Sequence, residues 1–324
     1  MNHLLANPLI PASRRFDKGI FLMNGYRIFI AILVAAMVVG LSPTAHAADR
    51  VVIDLLGRKV QVPNNPRRVV ALAPNITEIV FALNQSQRLV GVTQYSDFPP
   101  AAKDLPRVGS YVHLDLEKIV ALKPDLCIAI KDGNPKEVVD RLEALQIPVF
   151  AVDPRNLDTV MRTIREVGYL LHADEQADQL VRSMQARIDR VQGLVSQTAS
   201  RPRVFFQIGI APIVSVGTET FIHELIVMAG GENLAAGAAP YPRYSQEQVL
   251  GLAPEIFIIT SMARGAIFEQ VRAQWRQWPD LPAVRDDRIF LQESNLFDRP
   301  TPRLVDGLEL LVRMIHPELF SDHP

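Results

Sequence analysis

Cysteine is almost missing from this chain: Cys127 is the single one in 324 residues. That excludes an internal disulfide, a cysteine-ligated zinc and an iron–sulfur cluster. Set in the apolar stretch DLCIAI, Cys127 itself reads as a small buried hydrophobe. Histidine is nearly as scarce. Beyond residue 47 there are His113, His172, His223, His316 and His323. Two of these fall in helix-like stretches and two in the C-terminal tail, so three histidines and a carboxylate cannot be gathered around a metal, and none is expected. GxSxG, a P-loop, GxGxxG and a His-x-x-x-His pair are all absent. No catalytic constellation can be assembled, and the chain is not expected to be an enzyme. Nor is there a long apolar run: the longest, within residues 28–41, is about 14 residues, too short to span a bilayer comfortably.

That short run has the proportions of a secretory h-region. Arg27 precedes it, and Ala45-His46-Ala47 supplies the small-x-small pattern for cleavage after Ala47. Residues 1–47 are therefore expected to be a Sec-type signal peptide, with Met23 as an alternative start that gives a shorter leader. No cysteine follows the h-region to carry a lipid, so the exported chain is expected to be soluble in the periplasm. Its 277 remaining residues hold 30 Lys and Arg against 34 Asp and Glu. Without a basic stripe to neutralise phosphates, no nucleic-acid partner is expected. A chain of this size outgrows one core, so two domains are expected.

What the chain does contain is an alternation. RRVVALAP, RLVGVTQ, DLCIAI and IPVFAVD read as buried strands, separated by the helical patterns TEIVFALNQ, DLEKIVAL and NPKEVVDRLEAL. Asn75 and Thr77 are candidate N-caps for the first helix, with Glu78 in its first turn. Strand runs in RVFFQIG, EIFIIT and RIFLQE alternate with helical runs in the second half. The expected fold class is α/β: two Rossmann-like lobes, each with a mostly parallel sheet flanked by helices. Between the halves, residues 174–197 form an amphipathic pattern with no proline, about 36 Å long if helical. The expected organisation is an N-terminal lobe over 48–173, a rigid linker helix over 174–198 and a C-terminal lobe over 199–324.

One segment also occurs twice. SYVHLDLEKIVALKPDLCIAI and PYPRYSQEQVLGLAPEIFIIT align at an offset of 130, placing Tyr111 on Tyr241, Glu117 on Glu247, Pro124 on Pro254 and Asp125 on Glu255. This is a helix-then-strand unit used once per lobe. Two such lobes facing each other leave a cleft at the carboxyl ends of their strands, where ligands bind.

The segments VGVTQYSDFPPAAKDLPRVGSY, DLEKIVALKPDLCIA, FQIGIAPIVSVGTET, GGENL, YPRYSQEQVLGLAP and FDRPTPRL, scattered over about 235 residues, resemble periplasmic substrate-binding proteins of ABC importers for iron-siderophores, haem and cobalamin. The resemblance is greatest to the cobalamin members. It implies a monomer that carries a corrinoid to an inner-membrane permease with a cytosolic ATPase. The bound molecule would be cargo rather than a cofactor. It places ligand contacts at Tyr95, Phe98, Tyr111, Tyr241, Asn295, Phe297 and Arg299, and permease docking at Glu117 and Glu247.

The residues themselves leave alternatives at each position. Aromatic side chains suit a broad, mostly apolar macrocycle, but a single tyrosine is as readily a half-buried wall. Glu117 and Glu247 make a matched anionic pair, or simply favour their helix dipoles. Arg299 can meet a ligand anion or pair with Asp298. Tyr111 and Tyr241 stand where the cobalamin members have tryptophan, and Asn295 where they have an acid. The haem members carry a coordinating tyrosine directly after Val-Gly, whereas here Ser110 intervenes. Haem therefore stays open through Tyr111 or His113, as does a ferric siderophore, although loop arginines are few.

Overall fold

The computed structural model describes residues 49–237, 239–261 and 267–320. The expected signal peptide lies outside the described residues. An antiparallel hairpin, β1 (Arg50–Ile53) and β2 (Lys59–Val62), leads in. It precedes a four-stranded parallel sheet of β3 (Val69–Ala71), β4 (Leu89–Val92), β5 (Leu126–Ile130) and β6 (Val149–Val152), in the order β4-β3-β5-β6. Every residue of β3 and β6 is buried, because helices cover both faces of a parallel sheet. These helices are α1 (Pro74–Ala82), α2 (Leu116–Ala121), α3 (Lys136–Ala144) and α4 (Leu157–Leu170).

The helix α5 (Asp174–Val195) follows. Ala177, Val181, Met184, Ile188, Val191 and Val195 recur every three or four residues and are its buried seam, with most of the rest turned to solvent. It packs on α4 at one stretch, where Gly168 lies so close to Ala177 that a Cβ there would come within 2.5 Å.

The second sheet runs β10-β8-β7-β11-β12, with a short β9 (Glu232–Asn233) on the side of β7. Its members are β7 (Arg203–Gly209), β8 (Ile213–Ser215), β10 (Arg243–Tyr244), β11 (Ile256–Ser261) and β12 (Ile289–Glu293). The β9, β7, β11 and β12 pairings are parallel, whereas β8 and β10 add antiparallel edges. Around the sheet lie α6 (Phe221–Met228), α7 (Gln246–Leu252), α8 (Ile267–Trp275), α9 (Pro282–Arg285) and α10 (Leu304–Ile315).

The apolar interior departs from two separate domain cores. One continuous cluster runs from Val69 and Ile128 through Ile164, Val181 and Ile188 to Phe206, Leu308 and Ile315. The outer faces keep their own clusters, around Val70, Ile119 and Val149 and around Phe205, Phe257 and Trp275. The inner faces merge because α4, α5 and α10 are packed on one another as well as on the sheets. At the α5–α10 contact, Arg187 reaches Asp306 at 2.5 Å and Glu309 at 2.7 Å.

Candidate functional site

The loops that leave the carboxyl ends of the strands carry the predicted ligand residues. Tyr95, Phe98 and Tyr111 lie in the long connection from β4 to α2, Tyr241 precedes β10, and Asn295, Phe297 and Arg299 lie between β12 and α10.

Tyr111 is the best fixed of them. Its ring rests on Gly133, where the backbone has φ +131° and a Cβ would fall 2.6 Å from the ring. Only glycine fits that conformation and that approach. Asn134, 9% exposed, donates from Nδ2 to the carbonyls of Tyr111 and Leu72, both at 2.8 Å, and its Oδ1 accepts from Ile130 N. Tyr241 comes from the other lobe and is 57% exposed. Partial burial, then the Asp132 carboxylate and Tyr111, push its phenol above the usual value. The two tyrosines equated by the repeat are therefore within electrostatic reach of one another, and their loops are the candidate mouth. On its N-terminal side, Asp153 holds Lys131 at 3.2 Å and Arg155 at 2.9 Å, and Arg155 also reaches Asp132 at 3.3 Å.

Phe297 has to be withdrawn from the ligand set. It is fully buried, packed edge-on to Phe206 with ring centroids 5.5 Å apart, inside the continuous core. A ligand could reach it only by displacing that core. Arg299 meets neither expected partner as its main contact. Nη1 lies 3.1 Å from Glu78 and 2.8 Å from Asp97, and Nη2 donates to the Tyr95 carbonyl at 3.0 Å. Arg303 binds Glu78 with two nitrogens, at 2.8 and 2.9 Å, and its guanidinium lies 3.9 Å above the Phe98 ring. Phe98 and Tyr95 are thus tied to this bridge, although both keep exposed surface. Asn295 is half-buried in a single 3-10 turn.

Glu78 is the residue the sequence hid. Helix α1 starts at Pro74, capped by Ala73 without a side-chain bond, so Asn75 and Thr77 lie inside it and Glu78 lies past its first turn. Glu78 is 4% exposed and receives both arginines of the opposite lobe. Two acids and two bases balance, which is the condition for burying such charges. Beside it, Thr77, Ser96 and Thr93 are chained by hydroxyl bonds of 2.9 and 3.0 Å. Asn75 Nδ2 is buried without a partner among the described residues.

The duplicated unit is built on the same plan in both places. Glu117 and Glu247 are each the second residue of a short helix, after the N-caps Asp115 and Ser245, and both are exposed. The hydrogen bond from Ser245 holds the Glu247 carboxyl below the usual range. Each helix ends on a left-handed residue before proline, Lys123 at φ 47° and Ala253 at φ 44°. Asp125 then accepts from the Arg67 and Arg68 amides at 2.7 and 2.9 Å, and Glu255 from the Arg203 amide at 2.7 Å. Two surface prongs are thereby fixed to the two sheets in the same way.

His113 is exposed on its loop. Among the described residues, no group of three His, Cys, Asp or Glu side chains is arranged to hold a metal, and no helix is long and apolar enough to cross a membrane. A shallow cavity of about 220 Å³ between α4 and α5, lined by Arg165, Tyr169 and Asp178, contains none of the predicted residues.

Several known proteins are similar. A vitamin B12-binding protein of Yersinia pestis (strain Pestoides F) is 32% identical over 280 residues, which covers 86% of this chain and 96% of that protein. The crystal structure of the periplasmic vitamin B12 binding protein BtuF of Vibrio cholerae superposes with a TM-score of 0.70 at 29% identity, over 80% of this chain and all of the other. The periplasmic heme-binding protein RhuT from Roseiflexus sp. RS-1 superposes with a TM-score of 0.71 at 26% identity, over 78% of this chain and 99% of the other. Residues 69–296 match the periplasmic binding protein family, and with that match over most of its length and an α/β architecture, the chain belongs to that family.

Proposed function

We propose that this chain captures cobalamin or a related corrinoid between its lobes in the periplasm and delivers it to an inner-membrane ABC permease with a cytosolic ATPase. The observation that carries the reading is Tyr111, its ring seated on Gly133 beyond the carboxyl end of β5, with the exposed Tyr241 as its counterpart in the repeat. Two phenol rings, one from each lobe, offer flat apolar contact to a broad ring system, and their hydroxyls suit amides at its rim. The 32% identity to a vitamin B12-binding protein supports the same choice.

In this reading the signal peptide is removed after Ala47, the monomer divides at the 174–198 helix, and the chain performs no chemistry on its cargo. Ligand contact falls to Tyr95, Phe98, Tyr111, Tyr241 and Asn295, while Arg299 holds the lobes together behind them. Glu117 and Glu247 present one anion per lobe to a two-fold symmetric cationic partner.

Haem is the second reading, supported by the likeness to RhuT and by two phenols as axial candidates. The test is to incubate the purified protein with cyanocobalamin, haemin or a ferric siderophore, desalt it and record spectra. Retained corrinoid bands are expected; a Soret band with no retained cobalamin would overturn the assignment.

A further inference from the structure

Asp132 stands at the carboxyl end of β5, between Lys131 and the Gly133 on which Tyr111 rests. Asn134 anchors the same turn to the Tyr111 carbonyl, so the backbone that carries Asp132 is fixed against the Tyr111 segment. The neutralisation of Asp132 is incomplete. The Lys131 ammonium and the Arg155 Nε are both engaged by Asp153, leaving Asp132 only Arg155 Nη2 at 3.3 Å, with its side chain 70% exposed. Glu219 acts on Arg155 as well, so three acids share two cations at this rim.

We propose that Asp132 sets ligand selectivity at the mouth, turning away a porphyrin that carries carboxylates and admitting a broad ligand with a neutral, amide-bearing rim. The inference rests on the reading of the cleft as a site for a large tetrapyrrole. Haem brings two propionates to the rim of any site that holds it. A neighbouring carboxylate repels them. A neutral amide-bearing rim offers no charge to repel and loses nothing. Selectivity thus comes from a repulsive element as much as from an attractive one.

The test is a haemin titration, followed by the Soret band, of the wild type, Asp132→Asn and Asp132→Glu, with a cyanocobalamin titration of the wild type alongside. Asp132→Asn removes one negative charge and frees Arg155 for a propionate, so haemin should bind about two- to fivefold more tightly. Asp132→Glu keeps the charge and should match the wild type. Haemin affinity unchanged or weakened in Asp132→Asn, or equal in the two variants, overturns the proposal. The site is exposed, so all three proteins should melt together. Failure of the wild type to bind cyanocobalamin would remove the corrinoid reading, while the ratio of haemin affinities would still decide the role of Asp132.

Discussion

Replacing Glu78 by glutamine should loosen the whole molecule rather than one loop. The carboxylate accepts from Arg299 at 3.1 Å and from Arg303 at 2.8 and 2.9 Å, and the three side chains are 3%, 11% and 20% exposed. Glutamine keeps the shape but removes the charge, so the two guanidiniums lose the carboxylate they share, and Asp97 remains in contact with Arg299. Removing one member of a buried ion cluster costs about 3 kcal/mol or more, most of it from the charge left unpaired. In a chain of this size that corresponds to about 6–12 °C in Tm. Urea unfolding followed by fluorescence reads it directly, because Trp275 is buried beside Phe257 and will report loss of the second lobe. Since the continuous core joins the lobes, the loss should be seen in one transition. Adding Arg303→Met to Glu78→Gln should cost about 2 kcal/mol less than the two single losses summed. A loss below about 1 kcal/mol in Glu78→Gln, or full additivity in the pair, would refute the claim that this cluster clamps the lobes.

Gly133→Ala should cost about 1–3 kcal/mol from the φ of +131° and displace the Tyr111 ring, weakening ligand binding; a titration unchanged from wild type would show that the ring position is irrelevant. Glu117→Ala with Glu247→Ala should retain ligand binding but reduce import about tenfold or more, measured as ligand uptake in cells that depend on this protein. Cys127 is fully buried, with its thiol pushed up to about 12 by burial, so at pH 8 only about one molecule in ten thousand is a thiolate. A thiol reagent should label it only after denaturation. Arg187 holds the Glu309 carboxyl below its usual value of 4.5. Its contribution is complete above that value and is lost as pH falls through the lower folded value. Arg187→Gln should therefore flatten the acid limb of the stability curve below about pH 4.5 in urea melts.

The repeating units were legible because their signals are local. RVFFQIG is bounded as read, and the duplicated caps, prolines and acids align on the structure. Helix α4 was equally readable and missed: Leu157, Val160, Met161, Ile164 and Val167 carry its apolar face behind an Asn156 capping box. The start of α1 was misjudged because residue type favoured Asn75 and Thr77 as caps, whereas proline at the first turn needs none. Phe297 and Arg299 were assigned to the ligand for a deeper reason. Their partners, Phe206 at one and Glu78 and Asp97 at the other, are 91 to 221 residues away, and no local pattern announces them.

The shared interior beneath both sheets bears on how the cargo specificity of such a protein can be altered. A chimaera that joins half of this chain to half of a relative would have to re-match side chains along α4, α5 and α10 at once, and should emerge misfolded. Exchanging exposed positions at the mouth, Asp132 or the segment around Tyr241, leaves that interior untouched. New binding preferences should therefore be gained by exchanging rims, not halves.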